Sequence, residues 1–329
     1  MCDRSACPRW TACARSGIAR AMRAATPPAI DAFDPARPVL IAGPTASGKS
    51  ALALGIAQEQ GRAVVNADAL QVFAGWPVLT AQPDAADRAR APHHLYGHVP
   101  VDSSYSVGAW LADVAPLLAR RPAPVIVGGT GLYLSALTEG LAAIPPTDPE
   151  IRAEADARMA RDGRAALLDD LDPVTRARID PLNPARVQRA WEVQRQTGRG
   201  IAHWQDDTGP PLVPPATAHL IQIAAPPAAL TPRIAARFDA MLDRGALDEA
   251  RAMAPRWNPA LQSARAIGAA ELVAVIRGET TLEAATEAAI IATRQYAKRQ
   301  RTWFRRRMAA WPTLPIPDTG LHNASDNLR

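Results

Sequence analysis

Gly43-Pro44-Thr45-Ala46-Ser47-Gly48-Lys49-Ser50 decides how the rest of the chain is read. The apolar run Pro38-Val39-Leu40-Ile41-Ala42 precedes it, and the apolar-periodic stretch Ala51-Leu52-Ala53-Leu54-Gly55-Ile56-Ala57 follows. Strand, glycine loop and helix in that order are the context a phosphate-binding loop requires, and a chance Gly-Lys-Ser turn would not need both flanks. Gly43 and Gly48 allow backbone angles that a Cβ blocks. The loop N–H groups then converge on phosphate oxygens, aided by the positive end of the following helix. Lys49 is expected to reach the terminal phosphate, and the Ser50 hydroxyl to hold Mg²⁺. The loop predicts a diphosphate or triphosphate ligand and does not specify a nucleotide.

Working outward, Arg62 to Asp68 is a short buried strand ending on an acid, and His94 to Val99 a weaker strand. Ser106 to Arg120 carries apolar residues on one helical side, and Pro124 to Val127 runs into the turn Gly128-Gly129-Thr130-Gly131. Alternating strands and helices imply a parallel α/β sheet, whose ligands sit beyond the carboxyl ends of its strands. Asp68 is thereby expected on the same edge as the phosphate loop. From Asp148 to Gly198 the periodicity is helical, broken at Asp162-Gly163, Asp172-Pro173 and Asp180-Pro181. A proline-rich stretch, 206–217, leads back to a strand at His219 to Ala224. Helices are predicted over Leu230 to Leu242, Leu247 to Met253, Arg265 to Ile276 and Leu282 to Met308.

The fold class that follows is α/β: a P-loop NTPase-like parallel sheet flanked by helices, with an all-helical insertion domain. Residues 36–143 and 217–318 form the core and 144–216 the insertion. Residues 1–35 are expected to be a disordered extension and 319–329 a frayed polar tail. The first thirty residues are Arg- and Ala-rich without the apolar block of a secretory signal; they read as an extension, or as sequence ahead of a start at Met22.

The chain has 329 residues, of which 48% are hydrophobic, enough for a full core. No run approaches the ~18 apolar residues of a membrane span, so no membrane partner is expected. All three cysteines, Cys2, Cys7 and Cys13, lie in the extension, which excludes a disulfide framework in the folded part and points to the reducing cytoplasm. Net charge is +5. Its distribution matters more: Arg294, Lys298, Arg299, Arg301, Arg305, Arg306 and Arg307 fall in one acid-free block. Such a block suits a polyanion or a diphosphate, and equally a solvated basic face.

Seven ordered motifs carry a resemblance. They are the phosphate loop, Asn66-Ala67-Asp68-Ala69-Leu70-Gln71-Val72-Phe73, Leu79-Thr80-Ala81-Gln82-Pro83, Ala91-Pro92-His93-His94-Leu95, Gly128-Gly129-Thr130-Gly131-Leu132-Tyr133, Arg186-Val187-Gln188-Arg189-Ala190-Trp191-Glu192-Val193, and Thr293-Arg294-Gln295-Tyr296-Ala297-Lys298-Arg299-Gln300. In this order, from about Pro38 to about Arg307, the chain resembles the tRNA dimethylallyltransferase (tRNA isopentenyltransferase) family. The resemblance implies transfer of a dimethylallyl group from dimethylallyl diphosphate to N6 of adenosine-37 in the tRNA anticodon loop, with Mg²⁺ as cofactor and a monomeric enzyme.

It also implies roles. Asp68, Lys49 and Thr45 are catalytic. Gly43, Pro44, Thr45, Ala46, Ser47, Gly48, Lys49, Ser50 and Arg294 bind diphosphate. Asp68, Ala69, Leu70, Gln71, Thr130, Arg152, Arg186, Gln188 and Arg189 bind tRNA. In the family the acid at Asp68 takes the proton of the amine; supporting Mg²⁺ through water, or capping the strand end, are the other readings its position allows. Thr130 faces the extruded nucleotide in the family and is locally as good a helix N-cap. Ala69 departs from the family, which carries Ser there. Arg265, in a degraded motif, is a further candidate. A P-loop small-molecule or nucleoside kinase, binding ATP, is the alternative function; a non-catalytic RNA-binding module is a third.

Overall fold

The computed structural model describes residues 33–316. The sheet is built from six strands: β1 (Val39–Ala42), β2 (Val64–Asn66), β3 (His93–His94), β4 (Val125–Gly128), β5 (His219–Ala224) and β6 (Thr313–Pro315). All pairings are parallel, in the order β3-β2-β4-β1-β5-β6. Central Leu40 stands opposite Ile126 on one side and Leu220 on the other. Every residue of β1, β2 and β4 is buried, which is why these strands read as unbroken apolar runs.

Period-two alternation splits the strands between two cores. Leu40, Val65 and Ile126 pack with Trp110, Leu134 and Phe304 on one face; Val39, Ile41, Val125 and Val127 pack with Leu54 and Ile56 on the other. The helices behind these contacts are α1 (Lys49–Gln60), α3 (Val107–Val114) and α4 (Gly131–Glu139), preceded on the second crossover by the short α2 (Ala85–Arg90). The chain leaves β1 past β4 to β2, then leaves β4 past β1 to β5. The order therefore reverses between β1 and β4, the place where α/β sheets open a crevice for ligands.

The insertion comprises α5 (Pro149–Asp169), α6 (Pro173–Arg178), α7 (Pro184–Thr197) and α8 (Ile201–Asp206) around its own core of Ala155, Leu167, Val187, Ala190 and Trp191. The breaks fall where expected: Gly163 takes φ 74°, ψ 178° inside α5, and Asp172 caps α6 through the N–H groups of Val174 and Thr175. The chain returns to β5 and finishes with α9 (Pro227–Asp243), α10 (Ala246–Met253), α11 (Ala269–Ile276) and α12 (Leu282–Arg307). These pack with Trp76 and Leu79 into a third apolar cluster over the strand ends.

Several expectations are corrected. The third strand shrinks to His93–His94 because Leu95 takes φ 63° and turns the chain; Val99 returns only as a bridge to Phe73. Helix α11 starts at Ala269, not Arg265, because Gly268 at φ 96° interrupts the run. Residues 33–35, assigned to the extension, pack on the core. Phe33 is buried against His219, and Arg62 donates to the carbonyls of Phe33 and Asp34. Cys2, Cys7, Cys13, Met22 and the tail 319–329 lie outside the described residues. Among the described residues no helix is long and apolar enough to cross a membrane.

Candidate active site

The loop after β1 winds tightly, with Ala46 at φ 61° and Gly48 at φ 84°, both left-handed. Three of its N–H groups are spent inside the protein. Gly43 donates to Gly128 O at 3.4 Å, Ser47 to Pro44 O at 3.3 Å and Thr45 to Gln300 Oε1 at 2.8 Å. The N–H groups of Ala46, Gly48, Lys49 and Ser50 have no acceptor among the described residues. They are the donors left for a phosphate, at the positive end of α1. Lys49 is buried, its Nζ 3.5 Å from Pro44 O. Burial pushes its amine down to about 8; the Asp68 carboxylate opposes that shift and the Arg237 guanidinium adds to it. Ser50 is exposed on the first turn, its hydroxyl unengaged among the described residues.

Across the cleft, the end of β2 is held by Asn66. Its Oδ1 accepts from Asp68 N at 2.8 Å, and its Nδ2 donates to Asp68 O and Leu95 O, both at 3.0 Å. Asp68 Oδ1 accepts from Leu70 N at 3.0 Å. Its Oδ2, free of hydrogen bonds among the described residues, faces the Gly129 turn. Thr130 occupies the N-cap position of α4 but does not cap it; its Oγ1 instead accepts from Ala69 N at 2.9 Å. Thr130 N donates to Ala67 O at 3.3 Å, so the β2 and β4 turns are stitched together. Gly128 is obligatory there, because a Cβ would lie 1.9 Å from Ala67 O.

Thr45, Asp68 and Leu70 line one cleft with Leu79, Thr80, Ile234, Arg237, Phe238, Met241, Ile267, Thr293 and Tyr296. The phosphate loop and the strand-end acid therefore face the same space. Two groups that touch Thr45 receive no role from the sequence, although Gln300 closes the last of the quoted motifs. Arg237, half-buried on α9, donates through Nη1 to Thr45 Oγ1 at 2.8 Å. Gln300, buried on α12, holds the Thr45 N–H.

Other anticipated residues lie elsewhere. Gln71 donates to Thr80 O at 2.8 Å and Ala81 O at 2.9 Å, shaping the neighbouring turn. Arg294 is exposed and borders a separate groove with Asp239, Glu283 and Glu287. On α12 the residues turned inward are Thr293, Tyr296 and Gln300, spaced i, i+3, i+7; Arg294 is rotated about 100° from that stripe. Arg265 is exposed in the turn before α11. On the insertion, Arg152, Gln188 and Arg189 converge on one fully buried carboxylate, Glu192: Arg152 Nε at 2.9 Å, Gln188 Nε2 at 3.1 Å and Arg189 Nη1 at 3.7 Å. The Arg186 side chain is exposed and unpaired among the described residues.

The family model described as IPP transferase matches residues 71–307, and one described as isopentenyl transferase matches residues 37–87. A tRNA dimethylallyltransferase of Cereibacter sphaeroides is 61% identical over 281 residues, 85% of this chain and 90% of that protein. That of Paracoccus denitrificans is 60% identical over 295 residues, 88% and 98% of the two chains. Among solved structures, the full-length tRNA isopentenylpyrophosphate transferase of Bacillus halodurans has a TM-score of 0.59 at 31% identity, covering 85% of this chain and 89% of its own. A eukaryotic dimethylallyltransferase acting on tRNA has a TM-score of 0.73 at 25% identity, covering 86% and 74%. None of these likenesses favours the kinase. Sequence and fold agree over nearly all of the described residues, and the chain belongs to the IPP transferase family, the prenyltransferases that modify tRNA.

Proposed function

We propose that this enzyme transfers a dimethylallyl group from dimethylallyl diphosphate to N6 of adenosine-37 in the tRNA anticodon loop, in the cytoplasm. The observation that supports the reading is the shared cleft, which Thr45, Arg237 and Asp68 all line, with Arg237 hydrogen-bonded to Thr45. In the reaction the bond from the allylic carbon to the diphosphate oxygen breaks and a carbon–nitrogen bond forms. Diphosphate leaves with the bonding electrons and the amine loses a proton.

The four free loop N–H groups, Lys49 and Arg237 stabilise charge that builds on the leaving group, which is electrostatic catalysis. Thr45 presents Arg237 to that end through its hydroxyl, in addition to its place in the loop. Arg294 is kept as a diphosphate contact on the strength of the family likeness alone. The Ser50 hydroxyl suits Mg²⁺, a hard cation that keeps waters and takes phosphate oxygens rather than a protein cage. The absence of any group of three His, Cys, Asp or Glu among the described residues fits that mode. When bound, the ion neutralises leaving-group charge.

Asp68 Oδ2 accepts a hydrogen of the exocyclic amine and receives its proton as the new bond forms. Its other oxygen, held by Leu70 N, fixes the carboxylate's direction. Leu70, Ile234, Phe238 and Met241 give the cleft the apolar walls that an isoprenoid and an extruded base need. Extrusion costs a few kcal/mol. Contacts from Thr130, Ala69 and Gln71 near the base, and from Arg152, Arg186, Gln188 and Arg189 along the backbone, offset that cost. The test is direct: purified enzyme, Mg²⁺, dimethylallyl diphosphate and unmodified tRNA should yield prenylated adenosine. Asp68→Asn should cut turnover by roughly 10²–10⁴-fold while tRNA binding persists. ATP turnover in place of transfer would refute the proposal.

A further inference from the structure

Gln300 is the only polar residue among the buried positions of α12, which are otherwise Ala285, Ala289, Ala297 and Phe304. Its amide makes two backbone hydrogen bonds to different halves of the cleft. Oε1 accepts from Thr45 N at 2.8 Å, inside the phosphate loop; Nε2 donates to Gly129 O at 3.0 Å, in the turn after β4. That turn continues through Thr130, whose hydroxyl takes the Ala69 N–H beside Asp68. An unbroken series thus runs from Thr45 through Gln300, Gly129 and Thr130 to Ala69. Contact is close throughout: a Cβ on Gly129 would lie 2.2 Å from Gln300 Nε2 and 3.1 Å from Asp68 Oδ2. Gln300 itself is not among the residues lining the cleft.

We propose that Gln300 is a positioning residue that sets the separation between the diphosphate cradle and the acid that receives the acceptor amine. The proposal rests on the reading of the cleft given above. The side chain is uncharged and buried, and its amide is spent on the two loops. It fixes one loop against the other with both ends of a planar amide. Displacement at carbon demands this, because reacting atoms must lie about 3–3.5 Å apart and a 1 Å error costs about 10²-fold in rate. A merely space-filling amide would matter for stability and for nothing else.

Gln300→Met keeps length and shape without either hydrogen bond. Gln300→Glu keeps an acceptor for Thr45 N–H but turns a second oxygen onto Gly129 O. For both, kcat is expected to fall on the order of 10²-fold. Dissociation constants for inorganic pyrophosphate alone and for an anticodon stem-loop alone should each stay within about threefold. Normal kcat in either folded variant overturns the proposal, as does a loss of rate that merely follows a loss of pyrophosphate binding. Site-resolved amide exchange on the unmodified, ligand-free enzyme gives a measurement independent of the variants' folding: the Thr45 N–H should be protected relative to that of Ala46. Equal exchange at the two positions overturns the proposal. Failure of the unmodified enzyme to prenylate tRNA would sink the reading of the cleft, and with it the proposal, whereas normal prenylation with equal exchange would overturn the proposal alone.

Discussion

Lys49 gives the site a pH dependence whose size can be worked out. Burial lowers its amine from the ordinary 10.5 to about 8, against the pull of Asp68. That drop corresponds to about 3 kcal/mol held in the empty folded state. A bound diphosphate favours the ammonium form, so donor binding takes up the missing proton wherever the free enzyme has lost it. Affinity should then be flat below about pH 7 and fall close to tenfold between about pH 7 and pH 9. Calorimetric titration with dimethylallyl diphosphate in the absence of tRNA measures this, and the same titration on Lys49→Met removes the ligand's own ionisation from the comparison. Stability runs the other way. The unfolded chain, with Lys49 near 10.5, binds more protons than the folded one between about pH 8 and 10.5, so stability of the empty enzyme rises across that window. Lys49→Met should therefore unfold at higher denaturant, by up to about 3 kcal/mol near pH 7, with the gain gone above about pH 10.5. Equal pH profiles for the two proteins, in binding and in stability, would refute the assignment of a desolvated, phosphate-directed lysine.

Three further outcomes are expected. Arg237→Gln, which removes the half-buried guanidinium from Thr45 Oγ1, should weaken pyrophosphate binding by roughly 10–100-fold, as for a charge-assisted contact of about 1.5–3 kcal/mol, read by titration. Arg62 is fully buried and donates to the carbonyls of Arg37, Ala123, Phe33 and Asp34; Arg62→Met leaves them unsatisfied and should cost about 3–5 kcal/mol in urea unfolding. Arg186→Ala should lower the slope of log affinity for tRNA against log salt by about one while leaving turnover at saturating tRNA unchanged.

The elements legible in the sequence are those whose burial writes a pattern. Strand β5 occupies the predicted His219–Ala224, β1 and β2 fall inside their predicted stretches and β4 runs one residue past its own, to Gly128, because both faces of these last three strands are covered. The illegible ones write none. Helix α2 has no buried residue and is held by the Asp84 cap on Asp87 N. Strand β3 has two residues and β6 three, too short for any periodicity. In the site the same division holds for a different reason. Lys49, Ser50, Asp68 and Thr130 are named by local motifs, since Lys49 and Ser50 open α1 after the β1 loop and Asp68 and Thr130 follow β2 and β4 directly. Arg237 and Gln300 meet Thr45 from 192 and 255 residues away; nothing in its own helix marks Arg237, and the motif that ends on Gln300 does not show what the amide holds.

The seat of Gln300 gives the glycine turn a further role. The two glycines ahead of Thr130, at 128 and 129, suit on sequence a backbone bared for substrate. A Cβ on Gly131 would instead strike Trp303 Cδ1 at 2.1 Å, and one on Gly129 would strike Gln300. The missing side chains admit α12, which seats Trp303 and Gln300 against the turn and brings Thr293 and Tyr296 to the cleft. The final long helix is thus a wall of the reaction centre. Its basic residues Arg294, Lys298 and Arg305 face solvent while its amide grips the phosphate loop. One helix then carries two functions on two faces, a charged exterior suited to a polyanion and a neutral interior that aligns donor with acceptor. A charge stripe counted along the sequence finds the first face and overlooks the second, because alignment is done by an uncharged residue.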